Sequence, residues 1–175
     1  MKKLISLIAQ GKSYNPNKII GYSNDELDKI EKLYDINIIG NFRLFMVEMG
    51  RCIGGLLSDE PFIFYKKWSI HSHMLTQIGF KDELLDIVLD KYTSFSRQYC
   101  NGAFLISIES ETQYYYLNTK SKFPERIFHF DENTDTIEDT GEEFIDYVKR
   151  VVERYRKYEE FYSRLICQGE LLIIK

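Results

Sequence analysis

Residues 23–50 read SNDELDKIEKLYDINIIGNFRLFMVEMG, two helices joined by a short extended elbow. Ser23 followed by Glu26 is a capping-box pattern, in which hydroxyl and carboxylate each satisfy a free backbone N–H of the first turn. Asp25 and Glu26 suit the positive end of the helix dipole. Leu27, Ile30 and Leu33 fall on one stripe of this first helix. The elbow is Ile36-Asn37-Ile38-Ile39-Gly40. A second helix is expected over 41–49, where Phe42, Phe45, Met46 and Met49 recur at helical spacing. Leu44 and Val47 add apolar surface on another side, so most of its circumference is expected to be buried. Gly50 ends it.

Toward the N-terminus, residues 11–21 read as a polar linker around Asn15-Pro16-Asn17. Before it stands MKKLISLIAQ, which imitates a secretory leader. Its apolar run, from Leu4 to Ala9, is too short for a secretory core or a membrane span. The spacing predicts a short helix docked on the domain. Residues 1–22 are therefore taken as a docking segment and 23–175 as one domain.

Toward the C-terminus, Gly54-Gly55 breaks the chain. Residues 61–65, Pro-Phe-Ile-Phe-Tyr, read as a strand with the proline at its first position. Leu75, Ile78, Leu84, Leu85, Val88 and Leu89 give residues 68–100 a helical period, with Gly79 expected to split it into two helices. From Ala103 the period becomes two. Strands are expected over 103–110, 112–118 and 126–130, the first two forming a hairpin. An acidic loop follows, then a long helix over about 141–165. Residues 171–174 are expected to add a short strand.

The length of 175 residues and a 44% hydrophobic content suit one compact domain. Thirteen tyrosines and twelve phenylalanines are a surplus; tyrosine serves both core edges and partner-facing surfaces. The net charge is −4. Residues 1–80 hold ten Lys and Arg against eight Asp and Glu, and residues 81–175 hold thirteen against nineteen. That balance disfavours direct nucleic-acid contact, which needs cations for phosphate, and suits a basic protein partner. Cys52, Cys100 and Cys167 are odd in number and far apart, which fits a reducing cytoplasm better than a disulfide framework.

Motifs for chemistry are sparse. Gly11-Lys12-Ser13 resembles the end of a phosphate loop, but Ser6 stands where that loop needs glycine. His71 and His73 could share one side of a strand, yet two imidazoles do not make a zinc site. No cysteine sits in a nucleophile motif. No GxSxG, HExxH, GxGxxG or EF-hand pattern occurs. Asp131, Glu132, Asp135, Glu138, Asp139, Glu142, Glu143 and Asp146 fall within sixteen residues free of Lys and Arg. Three readings stand for them: a surface that attracts a cationic partner, a solvated loop followed by an acidic helix start, and a calcium site, whose spacing fits no known loop. Phe144, Val148, Val151, Tyr155, Tyr158, Tyr162 and Leu165 form a heptad-like seam, read as packing on the sheet, with a helix-mediated dimer as the rival.

The order of these pieces resembles the SUKH superfamily, which includes fungal cell-wall-synthesis regulators and many bacterial immunity proteins. The resemblance is carried by Ile30-Glu31, Ile38-Ile39-Gly40, the Asn41–Met46 run, Gly50 and Gly54-Gly55-Leu56-Leu57. It continues through strands 103–110 and 114–119, the segment 124–131 ending in an aromatic and an acid, and 142–148. Gly40 departs from the family's usual proline. The resemblance implies an α+β domain with an antiparallel or mixed sheet flanked by helices. It implies a cytoplasmic immunity protein, not an enzyme, that blocks a toxin, often a nuclease, by protein–protein contact. The alternative is a regulatory scaffold without a toxin partner. The expected contact residues are Asp131, Glu132, Asp135, Glu138, Asp139, Glu142 and Glu143. No cofactor, metal, nucleic acid or membrane is expected, and the chain is expected to be a monomer or dimer.

Overall fold

Helix α1 (Lys3–Ala9) opens the chain and buries Leu4, Ile5, Ile8 and Ala9. The computed structural model describes residues 3–57, 62–91, 97–156 and 166–172. The expected polar linker is not all linker. Its Ile19-Ile20 forms strand β1 (Ile19–Ile20), which pairs antiparallel with β2 (Cys52–Ile53). Two adjacent isoleucines supply the apolar, β-branched surface that such a short pairing needs.

Helix α2 (Asn24–Tyr34) has the full capping box. The Glu26 N–H donates to Ser23 Oγ at 3.3 Å and the Ser23 N–H donates to the Glu26 carboxylate at 2.8 Å. Ser23→Ala is expected to cost about 1 kcal/mol, read as a melting point lower by roughly 2–4 °C. No change in the melting point would remove the cap from the account.

The elbow is pinned from several sides. The Ile38 N–H donates to the Glu31 carboxylate and the Asn37 N–H donates to Thr119 Oγ1. Gly40 has φ +56°, and a Cβ there would lie 2.5 Å from the Glu125 carboxylate. Proline, fixed near φ −65°, cannot take that conformation, which is the physical reason for glycine at this position. Helix α3 (Gly40–Met49) has no local side-chain cap. Glu125, from a distant loop, accepts from the Phe42 N–H at 2.8 Å instead. Arg43 pairs with Asp28 at 2.9 Å and with Glu31 at 3.6 Å, tying α2 to α3.

Residues 62–65 correct an expected strand. Pro61 lies outside the described residues, and Ile63–Tyr65 is a 3-10 turn with every side chain buried. An unbroken apolar run carries no period, so it fits a buried turn as well as a strand. Helix α4 (Ile70–Lys91) is continuous, against the expected break. Gly79 lies within it with nothing near its missing Cβ, so it neither turns nor terminates the helix. A short helix α5 (Arg97–Cys100) leads into the sheet.

Strands β3 (Ala103–Glu109), β4 (Gln113–Asn118), β5 (Arg126–Asp131) and β6 (Thr136–Glu143) form an antiparallel meander in that order. The expected acidic loop is thus largely strand β6. Glu142 and Glu143 end that strand instead of opening a helix, and α6 (Phe144–Arg156) starts one residue later. The fold is α+β, as expected, with an antiparallel sheet.

Helices cover both faces of the meander, so residue alternation sorts side chains into two cores. Phe104, Ile106, Leu117 and Ile127 pack toward α1, α2, α3 and α6. Leu105, Tyr116, Phe128 and Phe130 pack toward α4, on Phe80, Leu84 and Val88. Phe144, Val148 and Val151 are fully buried, so these three positions of the heptad-like seam are core. Nothing described bears on Tyr158, Tyr162 and Leu165, which lie outside the described residues, as do positions 173 and 174 of the expected last strand. Among the tyrosines whose side chains are described, Tyr22, Tyr34, Tyr65, Tyr116 and Tyr147 are buried, and Tyr14, Tyr99, Tyr114 and Tyr115 are partly so.

Candidate functional site

The expected contact residues do lie together, along one edge of the sheet, but most are already engaged. Asp131 accepts from Gln113 Nε2 at 2.7 Å and from the Asn133 N–H at 2.9 Å. The Gln113 hydrogen bond, above all, holds its carboxyl below the usual range. Glu132 accepts from the Tyr114 hydroxyl at 2.9 Å. Asp135 pairs with Lys91 at 3.2 Å. Asp139 and Glu143 share Arg126, at 3.3 and 3.2 Å. Glu142 pairs with Arg150 at 2.8 Å. Glu138 is exposed and sits opposite His129 in the ladder. Each of the four ion-paired acids has its charge offset by a neighbouring cation, which weakens the field that a partner would meet.

A second surface emerges on α4. One face of this helix is core: Ile70, His73, Gln77, Phe80, Leu84 and Val88 are buried. The other face is also apolar, yet open. Leu75 is 69% exposed, Ile78 50%, Leu85 44% and Leu89 61%. With exposed Asp82 between them, these residues step by three and four along the helix, forming a continuous outer seam. Isolated exposed leucines mean little, but four large apolar residues on one helix face make a contiguous apolar patch.

Acids flank that seam. Asp82, Asp86 and Asp90 are exposed and follow at steps of four, so they stack one turn above another. Among the described residues none of the three forms an ion pair. Glu83, one position on, is half-buried. Its carboxyl is pushed up by burial and then by Glu132 and Asp135. Glu83 of α4 therefore senses the acids of the β5–β6 turn.

On its far side the seam borders a cleft of about 210 Å³ between α2 and α4, lined by Leu33, Tyr34, Asp35, Met74, Gln77, Ile78 and Lys81. Ile78 belongs to both seam and cleft. Lys81 Nζ donates to the Tyr34 carbonyl at 2.7 Å, and burial pushes its pKa down. Asp35 pairs with Lys120 at 2.6 Å at the rim.

The other candidates come apart. His71 is exposed, whereas His73, two positions on along α4, is buried and bonds the Lys66 carbonyl through Nε2 at 3.3 Å. Both sit on a helix, not on the strand considered for them. Burial pushes the Cys100 thiol up to about 11, so it stays protonated near neutral pH. Cys52 and Cys167 are buried. His129 stacks on Tyr115 with ring centroids 4.7 Å apart. Among the described residues no three His, Cys, Asp or Glu side chains gather in a way that could hold a metal. Nor is any described helix long and apolar enough to cross a membrane.

The seam is hidden in the sequence because two apolar rows interleave along α4. Leu75, Ile78, Leu85 and Leu89 recur at helical spacing, and so do Leu84 and Val88, but the two sets point to opposite sides. The available signal was that apolar residues at both 84–85 and 88–89 cannot share one narrow stripe.

No protein-family model, no curated protein and no solved structure matches this chain.

Proposed function

We propose that this chain is an immunity protein of SUKH type, which binds a basic protein toxin and neutralises it by covering its working surface. The observation that carries the reading is the outer face of α4, four exposed large apolar residues beside three acids that form no ion pair among the described residues. An apolar centre with a charged rim is the make-up of a protein-docking patch. The β5–β6 acids, of which Glu132 and Asp135 act on Glu83 of α4, have a smaller part, a long-range attraction reduced by their own ion pairs. The capped helix–elbow–helix unit followed by the meander and a final helix is the order on which the resemblance rests.

The test is co-expression with the product of the adjacent reading frame, scored as rescue from growth arrest. Rescue is expected, and Leu85→Asp with Leu89→Asp is expected to abolish it. Changing Asp135, Glu138 and Asp139 together to Lys is expected to slow association with the toxin and flatten its salt dependence. Unchanged association after that triple reversal removes the β5–β6 acids from the interface. Absence of rescue, with a stably folded chain, favours the scaffold without a toxin partner.

A further inference from the structure

The α4 seam carries information about the shape of what covers it. Leu75, Ile78, Asp82, Leu85 and Leu89 repeat by three, four, three and four. That repeat presents holes at the spacing of another helix's knobs, and a strand, whose side chains repeat by two, does not match it. A 22-residue helix offers about 33 Å of such track at 1.5 Å per residue.

Charge then separates two possible occupants. A second copy of this chain would bring its own Asp82, Asp86 and Asp90. A two-fold pairing with the seams in register, parallel or antiparallel about Asp82, sets Asp82 against itself at the centre. Like charges placed so are repulsive. A partner helix with Lys or Arg beside its apolar row meets the acids with opposite charge and accommodates Asp82 within the seam.

The geometry points to a partner that docks by a basic amphipathic helix laid along the outer face of α4, with its apolar row on Leu75, Ile78, Leu85 and Leu89 and its cations on Asp82, Asp86 and Asp90. This rests on the reading of the chain as a protein-binding module, and it specifies the element recognised. The cleft beside Ile78 gives one apolar anchor of that helix a place to enter, next to Leu33 and Met74.

The probe is a labelled peptide of about three heptads, with leucine at a and d and lysine at e and g, whose own lysines discourage self-pairing. Its counterpart has glutamate for lysine. The full chain is expected to bind the lysine peptide at least about ten-fold more tightly than the glutamate peptide, with the gap narrowing as salt rises. Leu85→Asp with Leu89→Asp is expected to cut binding by about ten-fold or more. Asp82→Lys with Asp86→Lys and Asp90→Lys, all at exposed positions, is expected to reverse the preference. Equal binding of the two peptides, or binding indifferent to both sets of variants, overturns the inference. So does a dimer of the free chain in sedimentation that Leu85→Asp dissolves, because the seam then belongs to a second copy. Growth rescue without a peptide preference removes this inference and leaves the immunity reading standing. A peptide preference without rescue does the reverse.

Discussion

Arg51→Ala is expected to destabilise the fold by about 3–5 kcal/mol, read from denaturant unfolding. Arg51 is 8% exposed, and its guanidinium joins three parts of the chain. It donates to Glu26 at 2.9 Å, to Glu170 at 2.8 Å and to the Gly21 carbonyl at 2.9 Å, and it lies 3.9 Å over the Tyr22 ring. The same junction holds segment 166–172. The Leu171 N–H donates to the Tyr22 hydroxyl at 3.0 Å and the Tyr34 hydroxyl donates to the Leu171 carbonyl at 3.1 Å. Truncating the arginine leaves two carboxylates facing each other without their cation, and that residual charge carries most of the penalty. Arg51→Lys keeps the charge but loses the planar fork that reaches both acids, so it is expected to restore only part of the loss.

The same cluster sets an acid limb. The Arg51 hydrogen bond, with help from Ser23, lowers the Glu26 carboxyl from 4.5 to about 2. A depressed folded-state pKa stabilises the fold above the unfolded value and ceases to do so as pH falls through the folded value. Wild-type stability is therefore expected to decline between about pH 4.5 and about pH 2 as this contribution is lost. That decline should be shallower in Arg51→Ala, where only the Ser23 contacts remain. A variant that loses less than about 1 kcal/mol, with an unchanged acid limb, would show the cluster to be an ordinary surface network.

Gln77→Leu is the second large effect, an expected loss of about 3 kcal/mol. Strand β3 is an edge of the meander, and an edge strand has backbone groups that no neighbouring strand satisfies. At Leu105 the buried Gln77 amide takes that place. The Leu105 N–H donates to Gln77 Oε1 at 2.9 Å and Gln77 Nε2 donates to the Leu105 carbonyl at 2.8 Å. Leucine fills the space and leaves both groups orphaned in a dry site, at about 1–3 kcal/mol each. Hydrogen exchange at the Leu105 amide should accelerate in step. Gln77→Glu makes the test sharper. A protonated glutamate reproduces both hydrogen bonds, whereas an ionised one cannot donate and is buried as a charge. Its folded pKa is raised, so its contribution is full below the unfolded value and is lost as pH rises through the folded one. Gln77→Glu is thus expected to be closest to wild type in acid and weakest at neutral pH. Equal stability of all three proteins at both pH values would show that the Gln77 contact is incidental.

Local rules made much of this fold readable. Ser23 and Glu26 announced a helix start because both partners of the cap lie within one turn. The hairpin over 103–118 was visible because strands buried on both faces still change period sharply from the helix before them. Legibility failed where the cause was remote. The cap of α3 comes from Glu125, and the positive φ of Gly40 follows from how the elbow meets that carboxylate; neither is encoded near residue 40. Strand β6 was hidden by its acids, which lower strand propensity, although Thr136, Ile137 and Thr140 hint at it. The expected contact acids could be located in sequence, but not their partners. Arg126 lies across the ladder, Arg150 on α6 and Lys91 on α4. The seam on α4 was legible as residues and illegible as a face, because helical spacing alone does not say which of two apolar rows meets the sheet.

The most direct measurement is hydroxyl-radical footprinting of the chain, free and with the purified product of the adjacent reading frame. Leu75, Ile78, Leu85 and Leu89 are exposed in the free chain and should label there. In the complex their labelling should fall sharply, while Leu7 at 54% and Phe123 at 51% exposure keep theirs. Unchanged labelling of the four α4 residues in a complex that demonstrably forms would contradict the account, since the partner would then sit elsewhere.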